Sequence, residues 1–229
     1  MSLLGNAVVL IWNDVAEAGR DGFYAWHDKE HIPERLSIDG FLRGRRYRGE
    51  RASPEWLTVY EARDMNVLTG DAYLERLNRP TPLTRASVKE FRNTARSICR
   101  IAGTRGESTG GHVLTMQLRA NDSASAALQR FAVDTLFARL LERGDVLAAH
   151  LFSADDSASN VQTAEAEERA FTVPSRVLMI EAATQAGIEA CRTTLDATDW
   201  ARHGAHADPS NVYVLEISRL SANFKEITS

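Results

Sequence analysis

Apolar residues along the chain fall into short runs, some with strand period and some with helix period. Ala7-Val-Val-Leu-Ile-Trp-Asn-Asp14 is rich in β-formers and ends in turn residues, which predicts a buried strand. A helix is predicted from about Asp21 to Ile32. Pro33 should end or kink it, because proline lacks an amide donor and crowds the preceding turn. Residues 41–48 and 56–63 predict a strand pair joined as a hairpin through the turn at 51–55. Val67, Leu68, Tyr73, Leu74 and Leu77 recur at helical spacing within 66–78. Pro80 and Pro82 interrupt that helix, a short helix is expected at 83–91, and a fourth strand at 95–102.

Thr104-Arg-Gly-Glu-Ser-Thr-Gly-Gly111 reads as a linker: small, polar and glycine-rich. The same order then recurs. A strand at 113–118 precedes a long amphipathic helix at 122–143, with Leu128, Phe131, Ala132, Thr135, Leu136 and Leu140 on one face. A strand at 146–152, a polar and mobile loop at 153–170, a strand at 176–183, a helix at 187–200 and a strand at 212–220 complete the half. Each half spells β-α-β-β-α-β, the ferredoxin-like unit. Pro54, Glu61 and Ala62 align without gaps on Pro174, Glu181 and Ala182, and Gly40 and Arg46 on Gly144 and His150. The expected organisation is a first unit at 1–103, carrying the candidate site, and a second, degenerate unit at 111–222.

The strands are apolar on both parities. Val8, Leu10 and Trp12 alternate with Ala7, Val9 and Ile11, and Val177 and Met179 alternate with Leu178 and Ile180. A strand apolar on both faces is buried on both faces. A ferredoxin-like unit covers one sheet face with its helices, so the bare faces should meet each other. The predicted fold class is α+β: tandem ferredoxin-like repeats whose antiparallel sheets pack as a barrel within one chain.

Composition narrows the function classes. The 229 residues are 44% hydrophobic and 25% charged, with a net charge of −4. These values suit an ordinary soluble protein and give no footprint for nucleic acid or an anionic membrane. No apolar run approaches a membrane span, and the first residues lack the basic and apolar regions of an export signal. Cytoplasm is the expected location. Cys99 and Cys191 lie far apart in apolar settings and read as buried, reduced thiols. No Gly-x-Gly-x-x-Gly and no phosphate loop occurs, and no metal or cofactor is expected.

The candidate chemistry concentrates between Phe23 and Tyr47. His27 and His31 are four apart, so on a helix they share a face and could form an acid–base couple near neutral pH. Glu30 is the carboxylate best placed to act as a base or to orient a histidine. His27-Asp-Lys-Glu-His31 also spells H-x-x-E-H, the inverted zincin order, which makes a zinc hydrolase a minor alternative. Pro33 argues against it. Arg43, Arg45 and Tyr47 share one strand parity, while Arg46 and Arg48 share the other. Buried arginines need carboxylates or an anionic ligand. The choices are a solvated edge strand, or an anion-binding wall of Arg45, Arg46 and Tyr47 facing Trp56 and Tyr60. Trp26, Trp56 and Tyr60, with Tyr73 and Phe91, are either pocket aromatics or plain core. The loop carrying Trp200, His203 and His206 reads as a solvated helix end.

Trp26-His27, Glu30-His31-Ile32-Pro33, Gly40-Phe41 and Arg46-Tyr47, set in this element order, resemble the dimeric α+β-barrel superfamily and within it the EthD-like proteins. The resemblance implies a barrel and a small-molecule partner. It allows a homodimer and implies activities ranging from cofactor-independent oxygenation and isomerisation to haem-dependent chemistry or none. The second half lacks the histidines and the Glu-His-x-Pro segment, so one pocket per chain is expected. The leading expectation is a cofactor-independent enzyme working by proton transfer or oxygenation on an apolar, aromatic or polyketide-like compound. His31, His27 and Glu30 would move the proton, and Arg45, Arg46 and Tyr47 would hold the charge. The rival is a non-catalytic ligand-binding or structural barrel.

Overall fold

The run at the start of the chain forms β1 (Ala7–Val15) in the computed structural model, which describes residues 2–120, 124–168 and 170–222. Helices α1 (Arg20–Trp26) and α2 (Ile32–Leu36) follow, then the hairpin of β2 (Phe41–Arg48) and β3 (Trp56–Ala62). Next come α3 (Met65–Thr69), α4 (Asp71–Asn78), α5 (Pro82–Lys89) and the long strand β4 (Phe91–Gly106). The second set is β5 (His112–Ala120), α6 (Ser125–Arg130), α7 (Phe137–Leu141), β6 (Val146–Ala154), α8 (Asp156–Ser159), α9 (Ala164–Glu167), β7 (Arg176–Ala182), α10 (Gln185–Asp196), a short β8 (Ala205–Ala207) and β9 (Asn211–Leu220).

The strands lie in the order β7-β6-β4-β1-β3-β2-β9-β5, and a β7–β5 pairing closes the ring into an eight-stranded antiparallel barrel. Within it, β4-β1-β3-β2 and β9-β5-β7-β6 are two sheets of the same internal order. Two long strands weld them. β4 pairs with β1 through Arg100 and with β6 from Cys99 onward. β9 pairs with β5 through its first residues and with β2 through the rest. A closed barrel leaves no unpaired edge along this ring. For that reason β2 is not a solvated edge strand, and seven of its eight residues are buried.

The two strand parities have separate destinations, which is why both are apolar. One fills the barrel with Val8, Leu10, Trp12, Leu57, Val59 and Met179, among others. The other packs outward under helices, in one layer around Val9, Tyr60 and Ile98 and a second around Leu114, Leu178 and Ile180. Several local expectations give way to this closure. The helix at 83–91 stops at Lys89, because Phe91 begins β4 and pairs with Val15. The linker at 104–111 is largely wall: Thr104 to Gly106 extend β4, and the Gly110 amide donates to the buried Glu181 carboxylate at 2.8 Å. The loop at 153–170 carries α8 and α9 and packs on β4, where the Ser159 hydroxyl accepts from the Ile98 amide at 2.9 Å. The predicted helix at 122–143 begins outside the described residues and is then divided into α6, a π-helical stretch and α7. Among the described residues no helix is long and apolar enough to cross a membrane.

A buried ionic network crosses the barrel interior. Arg45, fully buried, faces Glu61 at 3.1 Å and donates to both oxygens of Glu181 at 3.1 Å. Arg43 donates to Glu61 at 2.7 Å, and His150 lies 3.4 Å from Glu181. Glu61 also accepts from the Leu4 amide at 2.9 Å, matching the Gly110 bond to Glu181. Gly5 and Gly110 allow these approaches. A Cβ on Gly5 would meet the Ala62 carbonyl oxygen at 2.0 Å, and one on Gly110 the Ala182 carbonyl oxygen at 2.5 Å. Because Arg45 opposes Val59 and His150 opposes Met179, the residue matching His150 is Arg45, one place from the gapless alignment. Burial would raise the Glu181 pKa, but Arg45, His150 and the Gly110 amide together bring it down to about 2.

Removing Glu181 leaves Arg45 buried with half its charge partners. Glu181→Ala is expected to cost about 3–5 kcal/mol in urea or guanidinium unfolding. The sign with pH follows from the lowered pKa. The stabilisation is complete above the ordinary value near 4.5 and is lost as pH falls from there towards 2. The variant should therefore show a shallower loss of stability than wild type across that window.

Candidate functional site

The first helix does not end at Pro33. It continues through a π-helical stretch, His27–His31, into α2, where Pro33 sits in the first turn. The Ile32 amide donates to the His27 carbonyl, a five-residue step that widens the helix just ahead of the proline ring. The second half widens at Phe131–Leu136, and Phe137 donates to Ala132 in the same way. In the first half this geometry turns His27 and His31 down onto the sheet. Both are 4% exposed. His27 stacks on Phe23, with ring centroids 5.1 Å apart, and His31 packs on Trp26 at 4.3 Å.

Arg46 is the hub of this layer. Its Nη1 lies 3.1 Å from His27 Nδ1, it forms an ion pair with Asp28, and its Nε donates to Glu216 Oε2 at 2.8 Å. Guanidinium only donates, so His27 Nδ1 must accept and the ring proton must sit on Nε2. That requires a neutral imidazole. Burial, then His31 and then Arg46 push the His27 pKa well below its ordinary value, in agreement. The other oxygen of Glu216 accepts from the Tyr24 hydroxyl at 2.8 Å. Tyr24 also packs its ring 4.6 Å from the Arg46 guanidinium carbon.

Glu216 reaches this place through a β-bulge. The β2–β9 register passes from Arg46 opposite Ile217 to Tyr47 opposite Leu215, so Glu216 is the extra residue. A bulge re-aims one side chain out of strict alternation. Here it delivers a carboxylate from the last strand to an arginine of the second.

Glu216 also lines a groove of about 620 Å³ along the outside of the seam where β9 joins β2 and β5. Val212 and Val214 form its floor, Arg48 to Arg51 one wall, and Gln185, Glu189 and Arg192 of α10 the other. The opposite seam, β4 on β6, is filled by α8 and by Val133, which packs on Gly103. The groove has the volume of a small-molecule site.

The predicted site residues separate into three places. His27, His31 and Arg46 come together under α1, with Trp26 and Tyr60 beside them. Trp26 donates to Thr84 Oγ1 at 3.0 Å. Trp56 packs in an aromatic core with Phe23 and Phe91, while Tyr60 joins Phe41 and Tyr73 in the adjoining layer. Arg45 and Tyr47 point the other way, into the barrel, where Glu61 and Glu181 engage Arg45. They therefore do not form one anion-binding wall with Arg46. Glu30 accepts from the Thr81 hydroxyl at 2.5 Å, at the start of α5. Among the described residues no group of three or more His, Cys, Asp and Glu is placed to hold a metal ion. His203 stacks on Phe131 at 3.5 Å beside Trp200, so that helix end is packed on the second helical layer. Sequence reasoning missed Tyr24, Asp28 and Glu216. The one available signal was a lone carboxylate inside the run Val212-Tyr-Val-Leu-Glu-Ile217.

No protein-family model and no curated protein sequence matches the chain. Solved structures do. An anthrone oxidase-like protein is similar with a TM-score of 0.64 and 13% identity, over 95% of this chain and 94% of that one. A chlorite dismutase from Candidatus Nitrospira defluvii is similar at 0.54 and 12%, over 93% and 92%. A heme-binding protein from Thermus thermophilus is similar at 0.52 and 10%, over 93% and 92%. At such identities the likeness concerns the fold, an α+β barrel of ferredoxin-like sheets spanning nearly the whole of each chain.

The neutral His27 has a consequence for acid stability. An unfolded chain binds this proton below about pH 6.5, while the folded one resists it until well below that value. Stability is therefore complete above 6.5 and falls as pH drops through that point. In His27→Gln, whose amide oxygen can still accept from Arg46, stability measured by urea unfolding should be flatter between about pH 6.5 and 5 than in wild type.

Proposed function

We propose that this protein is an enzyme that moves a proton on a small, enolisable aromatic or polyketide-like molecule, with Glu216 as the general base. The observation that carries this reading is the Glu216 carboxylate at the groove wall, fixed on both oxygens by Arg46 and Tyr24. A base held at a set angle beside a ligand-sized groove is the geometry that proton abstraction needs. The acidic C–H of the substrate gives its proton to Glu216. The electron pair moves to the carbonyl oxygen, and the Arg48 guanidinium, also lining the groove, stabilises the enolate. Where dioxygen is the co-substrate, the enolate carbon bonds to it in two one-electron steps, the resulting peroxide anion takes the proton back from Glu216, and the hydroperoxide loses water to leave a new carbonyl, all without a bound cofactor. The likeness to an anthrone oxidase-like protein supports an acidic, ring-fused ketone as the first compound to try.

In this reading His27 and His31 are positioning residues. His27 orients Arg46, and His31 packs between Trp26 and the sheet. Arg45 and Tyr47 belong to the barrel interior. His27 and His31 are buried, so neither presents an open imidazole to an iron porphyrin, and no step runs through one. We also infer that residues 1–103 and 111–222 are two ferredoxin-like units. The like order of both sheets, the π-helical stretch at the same place in each first helix, and the matching Glu61 and Glu181 support this. The Glu30-to-Pro33 and Gly40-Phe41 segments support an EthD-like origin for the first unit.

The rival reading, a non-catalytic barrel, is favoured by how completely His27, His31 and Arg46 are buried. Deuterium exchange separates the two. Anthrone in buffered D₂O is followed by NMR with and without enzyme. Wild type should speed exchange at the acidic carbon well above buffer, and Glu216→Gln should lower that rate at least about 100-fold in a protein that still unfolds cooperatively above the assay temperature. Exchange that survives Glu216→Gln removes Glu216 as the base, and wild-type exchange no faster than buffer favours the rival.

A further inference from the structure

The seam groove extends past Glu216, and its far end has a chemistry of its own. Its floor is apolar and open: Val214 is 49% exposed, and Val212 lies beside it on β9. Polar groups on the walls are unequally satisfied. Arg192 is paired with Glu189 on the next turn of α10, and Glu216 is held by Arg46 and Tyr24. Among the described residues Arg48 bonds through Nε alone, donating to Glu55 at 2.7 Å, so its terminal nitrogens keep their donors. Arg51 has no ion-pair partner among the described residues. Glu50 beside it has none either, so besides Glu55, which is held by Arg20 and Arg48, the hairpin end carries one further negative charge. His112 also lines the groove, and its Nδ1 is buried without a hydrogen-bond partner among the described residues.

We propose that this end of the groove binds the carboxylate of a planar, apolar monoanion, whose ring body lies on Val212 and Val214. Arg51 takes the carboxylate, because planar guanidinium matches it in a forked pair of hydrogen bonds, and Arg48 is left for the enolate oxygen. Glu50 limits the charge that is welcome there, which disfavours dianions. The valine floor supplies a flat apolar surface at the point where the hairpin closes on β9. This names the substrate class for the site proposed above and rests on that reading, since the ring body then reaches towards Glu216.

Binding is measured without turnover, so the two proposals fail separately. The full chain is titrated by calorimetry with anthraquinone-2-carboxylate and with its uncharged carboxamide. The carboxylate should bind at least ten-fold more tightly than the amide. Arg51→Ala should abolish that preference, while Arg79→Ala, an exposed arginine on another face, should keep it. Val214→Asp should weaken both compounds at least ten-fold. Val214→Ser serves as the second floor variant if the charge disturbs β9, with a smaller loss in the same direction. Equal binding of acid and amide, a preference that survives Arg51→Ala, unchanged affinity in both floor variants, or no binding of the acid at about 1 mM each overturns the proposal. Loss of proton exchange in Glu216→Gln is independent of all four outcomes.

Discussion

The Arg45 guanidinium is held inside the barrel between two carboxylates that belong to opposite sheets. Glu61 comes from β3 and Glu181 from β7, so the cation can be satisfied only when the sheets face each other. An unpaired charge at this depth would cost several kcal/mol, and this makes a half-closed barrel a poor competitor. Burial would lower the Arg45 pKa, but Tyr47, Glu61 and Glu181 outweigh it and raise it. The network is flanked by plain apolar packing, with Trp12, Val59 and Met179 nearby, and by a Trp12 indole bond to Thr115 at 3.3 Å. Apolar packing holds the sheets together, while the ions fix which residues face which.

Closure has an outer consequence. Where two curved sheets join, the helical layers part and a seam is exposed. The β4–β6 seam is filled by α8 and by the π-helical stretch of the second half. The β2–β9 seam stays open as the groove. The bulge that delivers Glu216 lies on this seam, between a strand of the first set and the last strand of the chain. The candidate base and the arginine that holds it are 170 residues apart in sequence. They meet because the barrel closes, not because either belongs to a local motif.

This explains what the sequence could tell. Alternation of apolar residues on both parities predicts a two-faced buried sheet, and the repeated element order predicts the barrel, since both follow from local periodicity. The pairing of Glu61 with Glu181 was visible because two like strands keep like residues. Element ends were less legible. Phe91 reads as helix by spacing but is drawn into β4 by its partner Val15, and Pro33 reads as a stop although a π-helical step absorbs it. The site was legible by half. His27, His31 and Arg46 stand in one dense stretch, but parity sends Arg45 inward, and Glu30 turns to Thr81. Tyr24 and Glu216 could not be paired from sequence, because a bulge in register leaves no signature in residue order.

A double-mutant cycle on Arg45 and Glu181 tests the closure on which both the fold and the seam depend. Arg45→Met, Glu181→Gln and the double variant are compared with wild type by urea unfolding. A coupling energy of about 2–3 kcal/mol is expected, with the double variant less destabilised than the sum of the singles. Additive losses, with coupling below about 0.5 kcal/mol, would show that the two sheets close without this contact and would contradict the account.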